Sequence, residues 1–296
     1  MILAFSYIRA HACFVRKVLF LIIFFTLESF QSSVNTNVAR NILNDMCEAI
    51  SKVRTADYKL HTTERIEGHF DDIYSEIKVN TKPRKIYLIN RKKKLEVLYN
   101  EGENNGKAYV NPGKFPYITL SLDPYGNLMR DNQHHSIDDL GFQYIADLLR
   151  NACQLDNKPF FDKTVKYDGI VQWEGTNCYK LFFNFPDFKY INYTATHDEN
   201  LRTISRKFNC GEYRIVEKNR GVDFDDIIKK GTTIKVPNMY AKITLIYIQT
   251  ETNLPVNIKV MDNEGMYEQF ELRDIKINKG FATNEFTKDF PSYYFK

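Results

Sequence analysis

The chain has 296 residues, of which 43% are apolar, 26% charged and 14% aromatic, and its formal net charge is +4. Its 22 Phe and 19 Tyr exclude disorder as the main state, because disordered chains are poor in aromatics, and the charge is too small for a nucleic-acid binder. The 13 Gly follow no repeated spacing, so neither a phosphate-cradling loop nor a dinucleotide fingerprint is present.

The first segment, 1–33, has the layout of a secretory signal. Arg9, Arg16 and Lys17 precede the apolar run Val18–Leu27, and the polar stretch Glu28–Ser33 offers a cleavage region. The run is half the length that a membrane span needs. Cys13 lies before it rather than after it, so no lipid anchor is expected. Removal of this segment lowers the net charge to +2.

In the remaining chain, Asn37–Arg54 reads as an amphipathic helix, with Val38, Ile42, Met46, Ile50 and Val53 at three- and four-residue steps. Short β-segments follow at Tyr58–Ile66, Ile73–Val79, Lys85–Ile89, Leu95–Tyr99, Lys107–Val110 and Tyr117–Leu122. Short turns separate them, which implies an antiparallel meander. A second helix is expected over Ile137–Asn151. β-Signals return at Gly169–Trp173, Cys178–Phe185, Ala241–Ile248, Pro255–Val260 and Tyr267–Leu272, and an aromatic tail, Asn278–Lys296, is available to pack down.

Between these β-runs, Tyr193–Pro237 reads as strand, helix, helix, strand. The pattern Leu201-x-x-Ile204-Ser205, Phe208, Ile215, Asn219 and Gly231-x-x-Ile234-x-Val236-Pro237 resembles the LysM domain over about 45 residues. That resemblance implies binding of N-acetylglucosamine glycans such as peptidoglycan. The loops that would line the groove hold His197, Asp198, Glu199 and Asn200 on one side and Arg220, Gly221, Asp223 and Phe224 on the other. Asp198-Glu199-Asn200 stands where the family usually has Gly-Asp-Thr.

The flanking sequence resembles an uncharacterised bacterial periplasmic family of the LolA/LolB-like superfamily. The resemblance rests on Lys82-x-Arg84-Lys-Ile-Tyr87, Glu96-Val-Leu-Tyr99, Asn105-Gly-Lys-Ala-Tyr-Val110-Asn-Pro and Leu122-Asp-Pro-x-Gly126. It continues through Met129-Arg130, His134-His135, Leu254-Pro255 and Asp262-x-x-Gly265-x-Tyr267-Glu268. It implies an α+β fold, an incomplete antiparallel half-barrel with covering helices, built from 34–192 and 238–296 around a βααβ insert at 193–237. It also implies a cavity for acyl chains or a lipoprotein, with Tyr87, Ile89, Val97, Tyr99, Tyr109, Phe182, Tyr247 and Ile258 as lining candidates.

Catalytic signatures are missing from the sequence. His134 and His135 would point to opposite faces of a strand, so no metal site is assigned there, and no Gly-x-Ser-x-Gly elbow exists. No cofactor is implied. Cys47, Cys153, Cys178 and Cys210 do not match a zinc spacing and are expected as buried thiols, with Cys47–Cys153 the pair if a bridge forms. The basic turn Arg91–Lys94 could meet anionic headgroups at a membrane surface. The sequence therefore points to an exported, non-enzymatic envelope protein in the periplasm that holds acyl chain and glycan. The alternatives are a scaffold that binds protein partners and, further off, a cell-wall hydrolase.

Overall fold

The computed structural model describes residues 35–295, so the signal-like segment 1–33 lies outside the described residues. The described residues begin with helix α1 over 35–51, whose Ala39, Leu43, Met46 and Ile50 are buried on one face. Six strands then run as a meander: β1 (Thr55–Ile66), β2 (His69–Thr81), β3 (Arg84–Asn90), β4 (Leu95–Asn100), β5 (Ala108–Asn111) and β6 (Leu120–Leu122). Helices α2 (Asn127–Arg130), α3 (Phe142–Ala152) and α4 (Lys158–Thr164) follow, then β7 (Val165–Trp173) and β8 (Thr176–Asn184).

The segment that the sequence sets apart contains β9 (Tyr190–Thr194), β10 (Glu199–Asn200), α5 (Leu201–Lys207), α6 (Glu212–Lys218), β11 (Ile227–Ile228) and β12 (Thr233–Pro237). Strands β9 and β12 pair antiparallel, Ile234 opposite Tyr193, with both helices between them in sequence. The unit has its own small core of Leu201, Ile204, Ile215, Ile234 and Val236. Three long strands complete the chain: β13 (Ile243–Gln249), β14 (Pro255–Asp262) and β15 (Gly265–Ile277).

Among the described residues the main sheet has eleven strands, in the order β6-β5-β4-β3-β2-β1-β15-β14-β13-β8-β7. The first and last strands meet in its middle, where Leu60 lies opposite Leu272 and Glu64 opposite Glu268. Every neighbouring pair is antiparallel. The edges, β6 and β7, do not join, so the sheet is an open half-barrel in an α+β fold. Helices α1, α3 and α4 lie against its inner face. Their Met46, Ile50, Phe142, Leu149 and Phe161 share one core with Ile77, Ile86, Val97, Leu181 and Ile246 from the strands.

The outer face carries a second cluster. Tyr87, Ile89 and Leu98 are covered by Phe286 and Tyr293 of the tail, with Phe281, Phe290 and Phe295 around them. Tyr293 stacks on Tyr87 at 3.7 Å between ring centroids.

Two expected elements change. The expected helix over Ile137–Asn151 is broken, because Gly141 has φ +102, a conformation closed to side-chain-bearing residues, and α3 starts only after it. The expected strand Tyr117–Leu122 shrinks to Leu120–Leu122, because Tyr117 has φ +55 and its N–H closes a turn onto the Lys114 carbonyl at 2.9 Å. Helix α4 is an addition to the expected elements. Its sequence signal is Asn157, whose side chain accepts from the Phe160 N–H, followed by Pro159 in the first turn.

All four cysteines of the described chain are free and buried. Burial pushes the Cys153 thiol up to about 12 and raises that of Cys47 as well. Neither behaves as a reactive thiolate.

Candidate functional site

Beneath α3 the inner core leaves a cavity of about 90 Å³. Tyr58 and Leu60 of β1, Ile258 and Val260 of β14 and Phe270 and Leu272 of β15 form its floor, and Leu140, Tyr144, Ile145, Leu148 and Leu149 form its roof. The walls are apolar except at one end, where His135, Asp139, Tyr240 and Glu268 meet it. For scale, an apolar cavity of about 150 Å³ accepts benzene. An acyl chain therefore fits only if α3 moves away from the sheet.

The polar end is a buried network. His134 and His135 sit in a turn, not on a strand, so both rings reach one carboxylate and the argument from opposite strand faces does not apply. Glu268 Oε2 lies 2.8 Å from His134 Nδ1 and 3.0 Å from His135 Nε2. The Tyr240 hydroxyl donates to Glu268 Oε1. The His134 backbone N–H donates to Glu64 Oε2 at 2.9 Å, and its Nε2 faces the Arg65 carbonyl at 3.0 Å.

Burial disfavours charge on His135, but the Glu268 carboxylate outweighs it and lifts the ring pKa to about 9. Burial likewise opposes the Glu268 charge, and the two histidines overcome it and hold that carboxyl well below its usual range. Glu64, His134 and Glu268 place three ligand-type atoms within 4.8 Å of one another. Of these groups, the His134 ring is hydrogen-bonded to Glu268, whereas Glu64 takes the His134 backbone N–H.

The network continues into the βααβ unit. Arg65 pairs with Asp262 at 2.6 Å, and Arg214 of α6 reaches the same carboxylate at 3.2 Å. The Arg214 guanidinium lies 3.4 Å from the Tyr267 ring centroid, and the His134 ring stacks on the same tyrosine at 4.0 Å. Arg130 pairs with Glu212 and donates to the His134 carbonyl. The motif residues Arg130, His134, His135, Asp262, Tyr267 and Glu268, scattered in sequence, therefore meet in one buried seam. Sequence reading marks these positions but gives them no common location.

A polar groove of about 460 Å³ runs between α3 and the unit, lined by Gln143, Tyr144, Asp147, Arg202, Arg206 and Glu212 among others. His135, Asp139, Tyr144 and Leu148 line both the groove and the apolar cavity. An apolar space and a polar one thus share a wall.

The eight lining candidates divide between the two faces. Val97 and Tyr99 belong to the inner core and Ile258 borders the cavity. Tyr87, Ile89 and Tyr109 lie on the outer face, under the tail. Phe182 and Tyr247 also point outward, since their neighbours Leu181, Phe183, Ile246 and Ile248 fill the inner core and successive side chains alternate. On β3 and β4, covered on both sides, apolar residues stand at successive positions, and period-2 reading then cannot assign the face.

The glycan-loop candidates are mostly engaged within the protein. Asp198 accepts from Lys229 Nζ at 2.8 Å and the Lys230 N–H at 3.0 Å, and Glu199 is buried and accepts from the Tyr193 hydroxyl. Asn200 caps α5 through the Thr203 N–H. Phe224 packs under Arg130 at 4.3 Å and its N–H is held by Asn127. The backbone N–H of Asp223 donates to Asp226. His197, Arg220 and Gly221 remain exposed on the two loops.

A family profile described as a protein of unknown function, DUF1571, matches residues 53–211. Among solved structures, LprF from Mycobacterium bovis is 12% identical, with 83% of this chain and 95% of that one covered and a TM-score of 0.41. An uncharacterised conserved protein from Thermus thermophilus is 9% identical, with 87% and 97% covered and a TM-score of 0.39. A LolA superfamily protein from Nitrosomonas europaea is 10% identical, with 85% and 98% covered and a TM-score of 0.31. At these scores the likenesses carry no functional conclusion. No curated protein matches.

Proposed function

The chain belongs to the DUF1571 family of proteins of unknown function, and we propose that it is an exported, non-enzymatic cell-envelope protein whose half-barrel shelters an acyl chain beneath α3. The observation that carries this reading is the shared wall between the apolar cavity and the polar groove. An amphiphile needs both environments side by side, an apolar one for its chain and a polar one for its head. In this reading α3 is the part that lifts from the sheet to admit the chain.

In this reading the βααβ unit, resembling LysM, contacts N-acetylglucosamine glycan through the loops that hold His197, Arg220 and Gly221, and so keeps the carrier near peptidoglycan. The unit's buried keying to the half-barrel through Arg214 and Asp262 means that the two parts act as one body at the wall.

Native mass spectrometry of protein purified from membranes tests the acyl arm. A phospholipid or fatty-acid adduct is expected, and a bare polypeptide mass with no adduct counts against it. Pull-down on insoluble peptidoglycan tests the glycan arm. Because the unit is stitched into the main core, the control is the loop variant His197→Ala/Arg220→Ala rather than a deletion. Equal retention of parent and variant would remove these loops from the proposal.

A further inference from the structure

Several large apolar side chains belong to none of the three cores. In the loop between β5 and β6, Phe115 is 82% exposed, Tyr117 63% and Ile118 54%, and Tyr294 of the tail is 64% exposed. Three segments bring them to one corner. Gly113 lies so close to the β3–β4 turn that a Cβ there would fall 2.2 Å from the Lys94 carbonyl oxygen. Asn111 donates from Nδ2 to the Tyr294 carbonyl at 2.9 Å, and the Tyr294 N–H donates to Glu96 Oε2 at 2.9 Å.

The same corner is basic. Arg91, Lys92, Lys93 and Lys94 on the turn and Lys114 on the loop are all exposed. Arg91 is held by Glu76 at 2.6 Å, and Lys92 lies in the field of Asp72. Lys93, Lys94 and Lys114 have no ion-pair partner among the described residues. Exposed apolar side chains thus share this corner with lysines that have no ion-pair partner among the described residues.

We propose that this corner is a docking tip for an anionic lipid bilayer, with Phe115, Tyr117 and Ile118 entering the interface and Lys93, Lys94 and Lys114 meeting the headgroups. Aromatic rings favour the headgroup level of a bilayer, and each lysine near an anionic surface strengthens binding about fivefold. A protein partner fits less well. Three side chains on one protruding loop offer far less than the about 800 Å² per partner of a stable interface, whereas a bilayer admits a projecting tip of any outline. Among the described residues no helix is long and apolar enough to cross a membrane, so this contact is peripheral. The tip would place an acyl-binding protein at the source of its ligand, yet the inference stands on different residues from the cavity and does not depend on it.

The test uses the full chain carrying Phe115→Trp and Trp173→Phe, so that the introduced indole is its single tryptophan, titrated with vesicles of phosphatidylglycerol and phosphatidylcholine or of phosphatidylcholine alone. The introduced indole is expected to shift its emission to the blue and to be quenched by brominated acyl chains on the anionic vesicles, with a much weaker response on the neutral ones. Lys93→Gln/Lys94→Gln/Lys114→Gln in that background weakens the partition about a hundredfold. These positions are exposed, and unchanged circular dichroism confirms the fold of each variant. An indole that stays in water while the chain sediments with vesicles overturns the proposal, because another segment is then making the contact. So does an equal response on neutral vesicles, or a triple variant that partitions like its parent.

Discussion

Glu268 is fully buried and is hydrogen-bonded to His134, His135 and Tyr240 at once, so its buried charge is sensitive to the protonation of His135. His135 has a folded pKa of about 9 against an ordinary value of 6.5. A raised folded pKa stabilises fully below the ordinary value and loses that stabilisation as pH rises through the folded one. Stability should therefore fall between pH 6.5 and 9, by a few kcal/mol at most. Glu64, Asp139 and Glu268 also act on this ring, Tyr144 and Phe270 meet it edge-on, and the Tyr240 hydroxyl lies 3.4 Å from its Nε2. Thermal melts across that window should show the decline in the parent and a flat profile in His135→Phe. At the same scale, Asp262→Asn removes the carboxylate that Arg65 and Arg214 share and should cost about 3 kcal/mol. The exposed Asp198→Asn should leave the denaturant midpoint almost unchanged.

At the scale of elements, α3 and the tail have opposite duties. The roof side chains Ile145 and Leu148 are only half-buried over the cavity, whereas α1 seats Leu43, Met46 and Ile50 deep in the core. Helix α3 should therefore open sub-globally while α1 stays closed. Hydrogen exchange checks this: the α3 amides should exchange faster than those of α1 and slow down when an acyl ligand is added. The tail is a fixed cover. Tyr293→Ala leaves a void against Tyr87 and Phe290 and should cost about 3 kcal/mol while leaving ligand binding intact. What the sequence could and could not reveal also sorts by element. Turn residues such as Asn104-Asn-Gly, together with alternating runs, mark most of the strands. The face of Tyr87 could not be read, because Tyr293 of the tail, which covers it, lies far along the chain. His134 and His135 are misplaced for a related reason: a turn without Gly or Pro resembles a strand end, and only the fold shows both rings converging on Glu268.

Among the described residues the molecule is an open half-barrel whose hollow is largely filled by its own helices, with an apolar gap, a polar groove beside it and a βααβ unit locked to the half-barrel. The account rests on that gap widening to admit an acyl chain. The most direct measurement is a titration with a fluorescent long-chain fatty acid, comparing the parent with Ile145→Trp, which fills the gap from the helix side. The account predicts saturable binding by the parent at one site per chain and none by an Ile145→Trp protein that melts like the parent. Equal binding by both, or no saturable binding by the parent, would contradict it.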